Sequence, residues 1–427
     1  MNRTGNGVRR YQLILGASIV AATAIYLLVV HQMGIEGDVV SVYFPYADEL
    51  VHGSIPETGY PPFALVLIAI PRLFASTPSG YEAVFAVMVC AFLLAGLVAT
   101  GKLAKRYYQS QHMAMLTYVV LMLLMFEFVM DRIDIFPVIL TLLSLYCLVT
   151  KRYAWAFVLL SIASVTNLYP AVLLPVYLIP FLLNRDWANM LKGAGAFFFT
   201  ALLILLPFAL IGPDAAFHFL SHNMDYPLQV ESVAASIIAF ASILGLTGVS
   251  VMHDPILGAD LLVGAWPDAL APWLIPLTLS VLVALYVICA YKLSEMRKDK
   301  QDNENNRMLL LGGAALLSLL VFIIFGKALF SQYMLLVIPF VVFMQMMSID
   351  RISKRYILGI TIAAILLTQL NFAVNICISG GGADITDAGM MIILARNIVA
   401  VILFIYVAWT CKKALERRPW RSQPDGD

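Results

Sequence analysis

Residues 36–71 read EGDVVSVYFPYADELVHGSIPETGYPPFALVLIAIP. This is the first long polar interval after a hydrophobic opening segment, and it carries five carboxylates: Glu36, Asp38, Asp48, Glu49 and Glu57. A Tyr60-Pro61-Pro62 turn follows, then an apolar run of about ten residues, roughly half of what a helix needs to cross a bilayer. Such a loop, pinned by prolines and followed by a helix that dips without crossing, holds acids against a membrane face. A carboxylate there is placed to take a proton from a lipid-borne substrate.

The rest of the chain supplies the membrane. With 61% hydrophobic and 12% charged residues and a mean hydropathy of +0.88, it has more apolar surface than a soluble core of this length can bury. The expectation is an all-α polytopic membrane protein. Its five cysteines, Cys90, Cys147, Cys289, Cys377 and Cys411, lie in or at the ends of apolar runs without CxxC or metal-ligand spacing, so neither a disulfide framework nor a metal site is implied. The formal net charge of +1 carries no nucleic-acid signal, and no such partner is expected. Arg3, Arg9 and Arg10 precede the first apolar segment as in a signal peptide, but the segment runs to about His31 without a small-residue cleavage signal and reads as a retained span.

Apolar runs near residues 11–31, 81–101, 112–128, 135–150, 153–168, 171–184, 193–211, 272–292, 308–325, 333–348, 356–378 and 388–411 predict about twelve membrane helices. Two stretches left over, 63–74 and 233–251, read as interfacial or re-entrant helices. With a cytoplasmic N-terminus, this assignment places 23 of the 27 basic residues inside and leaves only Arg72, Arg132, Lys327 and Arg396 for the outer face or the membrane interior. That imbalance is the positive-inside signature. It predicts a multi-pass protein of the plasma membrane with both termini cytoplasmic and an acidic outer face. Residues 1–293 form a first transmembrane module with the acidic outer loops, 294–307 (SEMRKDKQDNENNR) a charged cytoplasmic linker, 308–411 a second transmembrane module and 412–427 a cytoplasmic tail.

Four outer loops hold the candidate residues. The first carries Asp38. The second is Asp131-Arg132-Ile133-Asp134, where a spacing of three places both carboxylates on one face of a helical turn. The third, HFLSHNMDYPLQVES at 218–232, contains His222 and Glu231. The fourth, GKALFSQY at 326–333, contains Lys327, Gln332 and Tyr333.

Each residue has a plainer reading. Asp38 suits the N-cap of a helix beginning at Val39. Asp131 and Asp134 suit pairing with Arg132 or capping at Ile135, and Lys327 suits a snorkelling anchor. His222 and Glu231 can serve simply to order their loop, and Arg396 inside the last span needs a structural partner. Tyr43, Tyr46, Tyr60 and Tyr333 fit an interfacial belt as well as sugar-stacking platforms.

The joint order of these segments resembles glycosyltransferase family 87, over residues 36–340. The resemblance lies in Asp38-x-x-x-x-Tyr43, Tyr60-Pro61-Pro62 with its apolar run, Arg132-x-Asp134, Asn167-Leu168-Tyr169-Pro170, Gln229-Val230-Glu231-Ser232 and Lys327-x-x-x-Ser331-Gln332-Tyr333 before Pro339. Gly59 and Asn167 depart from the family pattern, which has an acidic residue and a lysine there. The resemblance implies the architecture of the C-type glycosyltransferase superfamily. It also implies transfer of a sugar, often mannose, from a polyprenyl-phosphate carrier to a lipid or glycan acceptor, with Asp38 as catalytic base and Lys327 beside the donor phosphate. Asp131, Arg132, Asp134, Tyr60, His222, Glu231, Gln332 and Tyr333 would line the substrate site.

Elementary chemistry agrees. A polyprenyl-phosphate sugar already has a good leaving group, so one carboxylate to take the acceptor's proton and one cation for the departing phosphate suffice. A single base suits inversion, and no cofactor or metal ion is expected. Two other classes fit such a chain: a transporter or flippase of lipid-linked sugars, which should carry charged or broken helices at mid-membrane, and a non-catalytic envelope-assembly subunit. The acids and Lys327 are expected to share a hollow at the non-cytoplasmic rim.

Overall fold

A computed structural model describes residues 3–33, 37–107, 111–254, 259–298, 304–347, 349–379 and 386–416. Glu36, the middle of the charged linker and the tail beyond residue 416 lie outside the described residues. The described chain is overwhelmingly helical. Seven helices are long and apolar enough to cross a membrane: Gly7–Gln32, Pro78–Arg106, Trp187–Ile211, Ala265–Arg297, Glu304–Phe325, Arg351–Val374 and Asp387–Ala414. Each coincides with one of the twelve apolar runs.

The other five runs form shorter helices, Gln111–Leu124, Ile135–Val149, Tyr153–Ser164, Leu173–Asn184 and Ile338–Met346. The longest of them has 15 residues, about 22 Å at 1.5 Å per residue. Two of the five are enclosed by protein. Ile135–Val149 buries residues on all sides, and its sequence IFPVILTLLSLYCLV is apolar all round, the pattern of a helix enclosed by others. Ile338–Met346 is buried along nearly its whole length and packs against Gln111–Leu124, Pro78–Arg106, Ile135–Val149, Glu304–Phe325 and Arg351–Ser379. By contrast Trp187–Ile211 buries only Gly193 and Phe197, so its apolar surface is left for lipid.

The stretch at 36–71 folds as its composition suggests. A π-helical turn, Val39–Tyr43, runs into the helix Phe44–Val51, and Pro62–Arg72 follows as an 11-residue helix, about 16 Å long and too short to cross. The guanidinium of Arg72 ties the two helices by donating to Asp48 Oδ1 through Nη2 at 2.9 Å and Nε at 3.1 Å.

The fold corrects the sequence reading at 233–251. Helix Val233–Ile243 forms there, but its continuation is strand Ser250–Asp254, paired antiparallel with Ala259–Val263 from Ser250↔Val263 to Asp254↔Ala259. The loop at 228–230 joins its edge, Val230 N–H donating to Asp260 O and Leu262 N–H to Leu228 O. Apolar periodicity does not separate a short strand from a short helix, and SVMHD is too brief to decide alone. The protein is therefore all-α apart from one hairpin among its described residues.

Candidate active site

The site is organised by four consecutive residues. Helix Phe126–Asp131 ends at Asp131, Arg132 is extended at φ −124°, ψ 139°, and helix Ile135–Val149 starts after Asp134. The expectation that Asp131 and Asp134 share one helical face is therefore wrong: the extended residue between them breaks the turn and sends each side chain to a different partner.

Asp131 reaches back to residues 38–39. Its Oδ2 accepts from Asp38 N–H at 3.0 Å and its Oδ1 from Val39 N–H at 3.1 Å. Gly37 is required beside it, because a Cβ there would run into the Asp131 carboxyl group. Arg132 forms an ion pair from Nη1 to Asp38 Oδ2, with the two side chains 25% and 24% exposed. Asp38 precedes Val39–Tyr43 as the cap reading required, but its carboxylate makes no capping hydrogen bond. Ile133 N–H donates to the Tyr43 hydroxyl at 3.1 Å, which lies 3.3 Å from the Tyr60 hydroxyl. Asp134, 2% exposed, accepts from Asn167 Nδ2 at 2.9 Å and from the Gln332 side chain without capping the helix that follows.

Burial sets the electrostatics. It pushes Asp131 up to about 7 against the opposing pull of the Val39 N–H. Burial likewise pushes Asp134 up to about 6, opposed by Arg132 and its hydrogen bonds. Arg132 is pulled down by burial while Asp134 and Glu231 hold it up. Burial, with the Asp134 charge nearby, drives the Tyr43 and Tyr60 phenols upward, so both remain neutral donors. Tyr169 and Tyr333 also lie within the field of Asp134, and the buried Tyr169 hydroxyl has no hydrogen-bond partner among the described residues.

A second cluster surrounds Glu231. Its Oε2 accepts from Arg396 Nη1 at 2.5 Å and from Ser331 Oγ at 2.8 Å, and its carbonyl accepts from Arg396 Nη2 at 2.7 Å and Asn397 Nδ2 at 3.1 Å. Arg396 is fully buried. His222 packs against Gly59, where a Cβ would strike its ring, and stacks edge-on to Tyr226. Burial, with His218 beside it, lowers the His222 imidazole.

Lys327 is placed apart. Its Nζ donates to the Met224 carbonyl at 2.5 Å at the end of helix Pro213–Asp225, and its own carbonyl accepts from Gln229 N–H. Burial lowers its ammonium while Asp225 raises it. Among the described residues no hydrogen bond or ion pair joins Lys327 to Asp38, Arg132 or Asp134, and the lysine meets the cluster only through its backbone contact with Gln229.

Asp38, Asp131, Arg132, Asp134, Tyr60, Gln332, Tyr333 and Glu231 do gather around the 131–134 loop, with His222 at its edge through Gly59. Sequence reasoning quoted Tyr43, Asn167 and Ser331 within motifs and noted Arg396 as a cation inside an apolar helix, but did not count them among the site residues; Asn397 gave no signal at all. Two apolar cavities lie elsewhere. One of about 230 Å³ is lined by Leu50, Leu65, Val66, Ala69, Ile70, Leu73 and Phe208, and one of about 360 Å³ lies between helices Pro78–Arg106 and Ile135–Val149. Neither is lined by a residue of the 131–134 cluster.

Among curated proteins none matches the chain. The sequence profile of glycosyltransferase family 87 matches residues 58–322, more than half of it and including Tyr60, the 131–134 loop, His222 and Glu231.

Proposed function

The chain belongs to glycosyltransferase family 87, and from that premise we propose that this membrane glycosyltransferase moves a sugar, mannose by first choice, from a polyprenyl-phosphate carrier to a lipid or glycan acceptor. The site faces the outer side of the plasma membrane, within a bundle of about twelve helices of the C-type glycosyltransferase architecture. The Asp38–Arg132 pair carries the reading, because it joins a partly exposed carboxylate to a partly exposed guanidinium in the first two outer loops.

Asp38 accepts the proton of the acceptor hydroxyl as its oxygen attacks the anomeric carbon. The bond from that carbon to the phosphate oxygen breaks, its electron pair stays on the phosphate, and Arg132 balances the charge that develops there. Lys327 gives one of its three donors to the Met224 carbonyl, steadies the loop that leads to Glu231, and serves the donor phosphate as a second cation beside Arg132. Glu231, Tyr60, His222, Gln332 and Tyr333 bind sugar or acceptor hydroxyls. One base and one guanidinium suit a metal-free displacement with inversion. The apolar cavity beside Pro62–Arg72 offers room for a segment of prenyl chain.

The test is transfer from purified polyprenyl-phosphate mannose to a membrane lipid extract by the detergent-purified chain. Wild type makes a labelled product, with or without a chelator. Asp38→Asn makes about 10²–10⁴-fold less while keeping its melting temperature; product at the wild-type rate from that variant would remove Asp38 from the chemistry.

A further inference from the structure

We propose that Arg132 holds Asp38 out of action until the donor phosphate takes its place, so that donor binding itself releases the base. The proposal rests on the reading of Asp38 and Arg132 given above and adds an order of events to it. Three carboxylates surround Arg132: Asp38 in direct ion pair, and Asp134 and Glu231 through their charge. They are not equally free. Asp134 is held by Asn167 and Gln332, and Glu231 by Arg396 and Ser331. The Asp38 side chain alone of the three has Arg132 as its only polar side-chain partner among the described residues. It is the carboxylate that can be exchanged.

The backbone geometry makes the exchange local. Asp131 clamps the amides of Asp38 and Val39, so the main chain at Asp38 stays where it is and only its side chain turns. Arg132 is extended rather than helical and a quarter exposed, which leaves its planar fork room to re-aim. A phosphate offers that fork a bidentate, charge-assisted contact, stronger than the single contact Asp38 makes. Once the guanidinium has turned to the phosphate, the oxygens of Asp38 are open to an acceptor hydroxyl. Before that they are occupied. Acceptor chemistry, wasteful hydrolysis included, therefore waits for the donor. When the sugar leaves, the phosphate gains a negative charge beside Arg132 just as Asp38 takes up the acceptor's proton, so Asp38 no longer competes with the phosphate for the cation at that moment.

The experiment measures binding of farnesyl phosphate to the detergent-purified full chain, with farnesol as the uncharged control. Asp38→Asn and Asp38→Ser each remove the competing charge and are expected to bind farnesyl phosphate about tenfold more tightly than wild type, as follows if the exchanged state holds about a tenth of the wild-type population. Asp38→Glu, which keeps the charge, should stay close to wild type, and farnesol binding should not change. Arg132→Gln should lose the preference for farnesyl phosphate over farnesol. Equal or weaker binding in the uncharged variants overturns the exchange, as does an unaltered preference in Arg132→Gln. The transfer assay judges the base separately: an Asp38→Asn chain that binds more tightly yet still transfers sugar would defeat the base assignment rather than the exchange.

Discussion

Among the described residues the candidate site holds two arginine–carboxylate pairs, and they are built in opposite ways. Arg132 and Asp38 touch through one ion pair and are each about a quarter exposed. Arg396 and Glu231 are 0% and 15% exposed, and the guanidinium also holds the Glu231 carbonyl and the Asn397 side chain. The first pair, with a single contact and part of each side chain open to solvent, can trade partners more readily than a fully buried pair. The second cannot, since breaking it strands a buried charge. One pair is suited to chemistry and the other to holding the chemistry in place.

Substitutions should separate the two. Asp38→Asn should lower transfer by about 10²–10⁴-fold, the usual worth of a positioned base, with a melting temperature close to wild type; a large drop in melting temperature would put this pair in the structural class. Arg396→Leu should do the reverse, destabilising the fold by about 3–5 kcal/mol through the uncompensated Glu231, and adding Glu231→Gln should recover part of the loss. Thermal unfolding in detergent reads both, and an unaltered Arg396→Leu midpoint would erase the distinction. Gly37→Ala should cost about 1–3 kcal/mol, because its Cβ displaces the Asp131 carboxylate from the two amides, and transfer should fall while donor binding persists.

The last test is pH dependence. Asp131 and Asp134 are raised to about 7 and about 6 in the folded chain against about 4 when unfolded. Between those values the folded state binds more protons, so these two groups make stability fall as pH rises from about 4 toward 7 and level off above. Asp131→Asn should flatten that slope in melting curves taken across the window; a slope unaltered by the variant would place the titration elsewhere.

How much of this was legible depended on distance along the chain. Membrane character and the short helix at Pro62–Arg72 follow from local composition, and motif order groups Asp38 with the 131–134 loop that it touches. The separation of Asp131 from Asp134 does not, because it turns on a single extended residue, Arg132, within a sequence that supports a continuous helical turn equally well. The Ser250–Asp254 strand was hidden for a similar reason, its few apolar residues fitting either period. The Glu231–Arg396 contact joins residues 165 positions apart, and nothing local to either names the other. Lys327 gave a local signal, a lone cation at the end of a span, but the carbonyl at the end of helix Pro213–Asp225 that takes one of its three donors could not be read from the sequence around it.

Arg396 sits in Asp387–Glu416, the last described helix, while the acid it neutralises lies far upstream. During synthesis the loop bearing Glu231 must therefore wait, its counter-charge still unmade, until Asp387–Glu416 enters the membrane. A ribosome stalled before that point holds a polypeptide with most of its helices in place and an unfinished centre, so competence arrives as a late event in biogenesis.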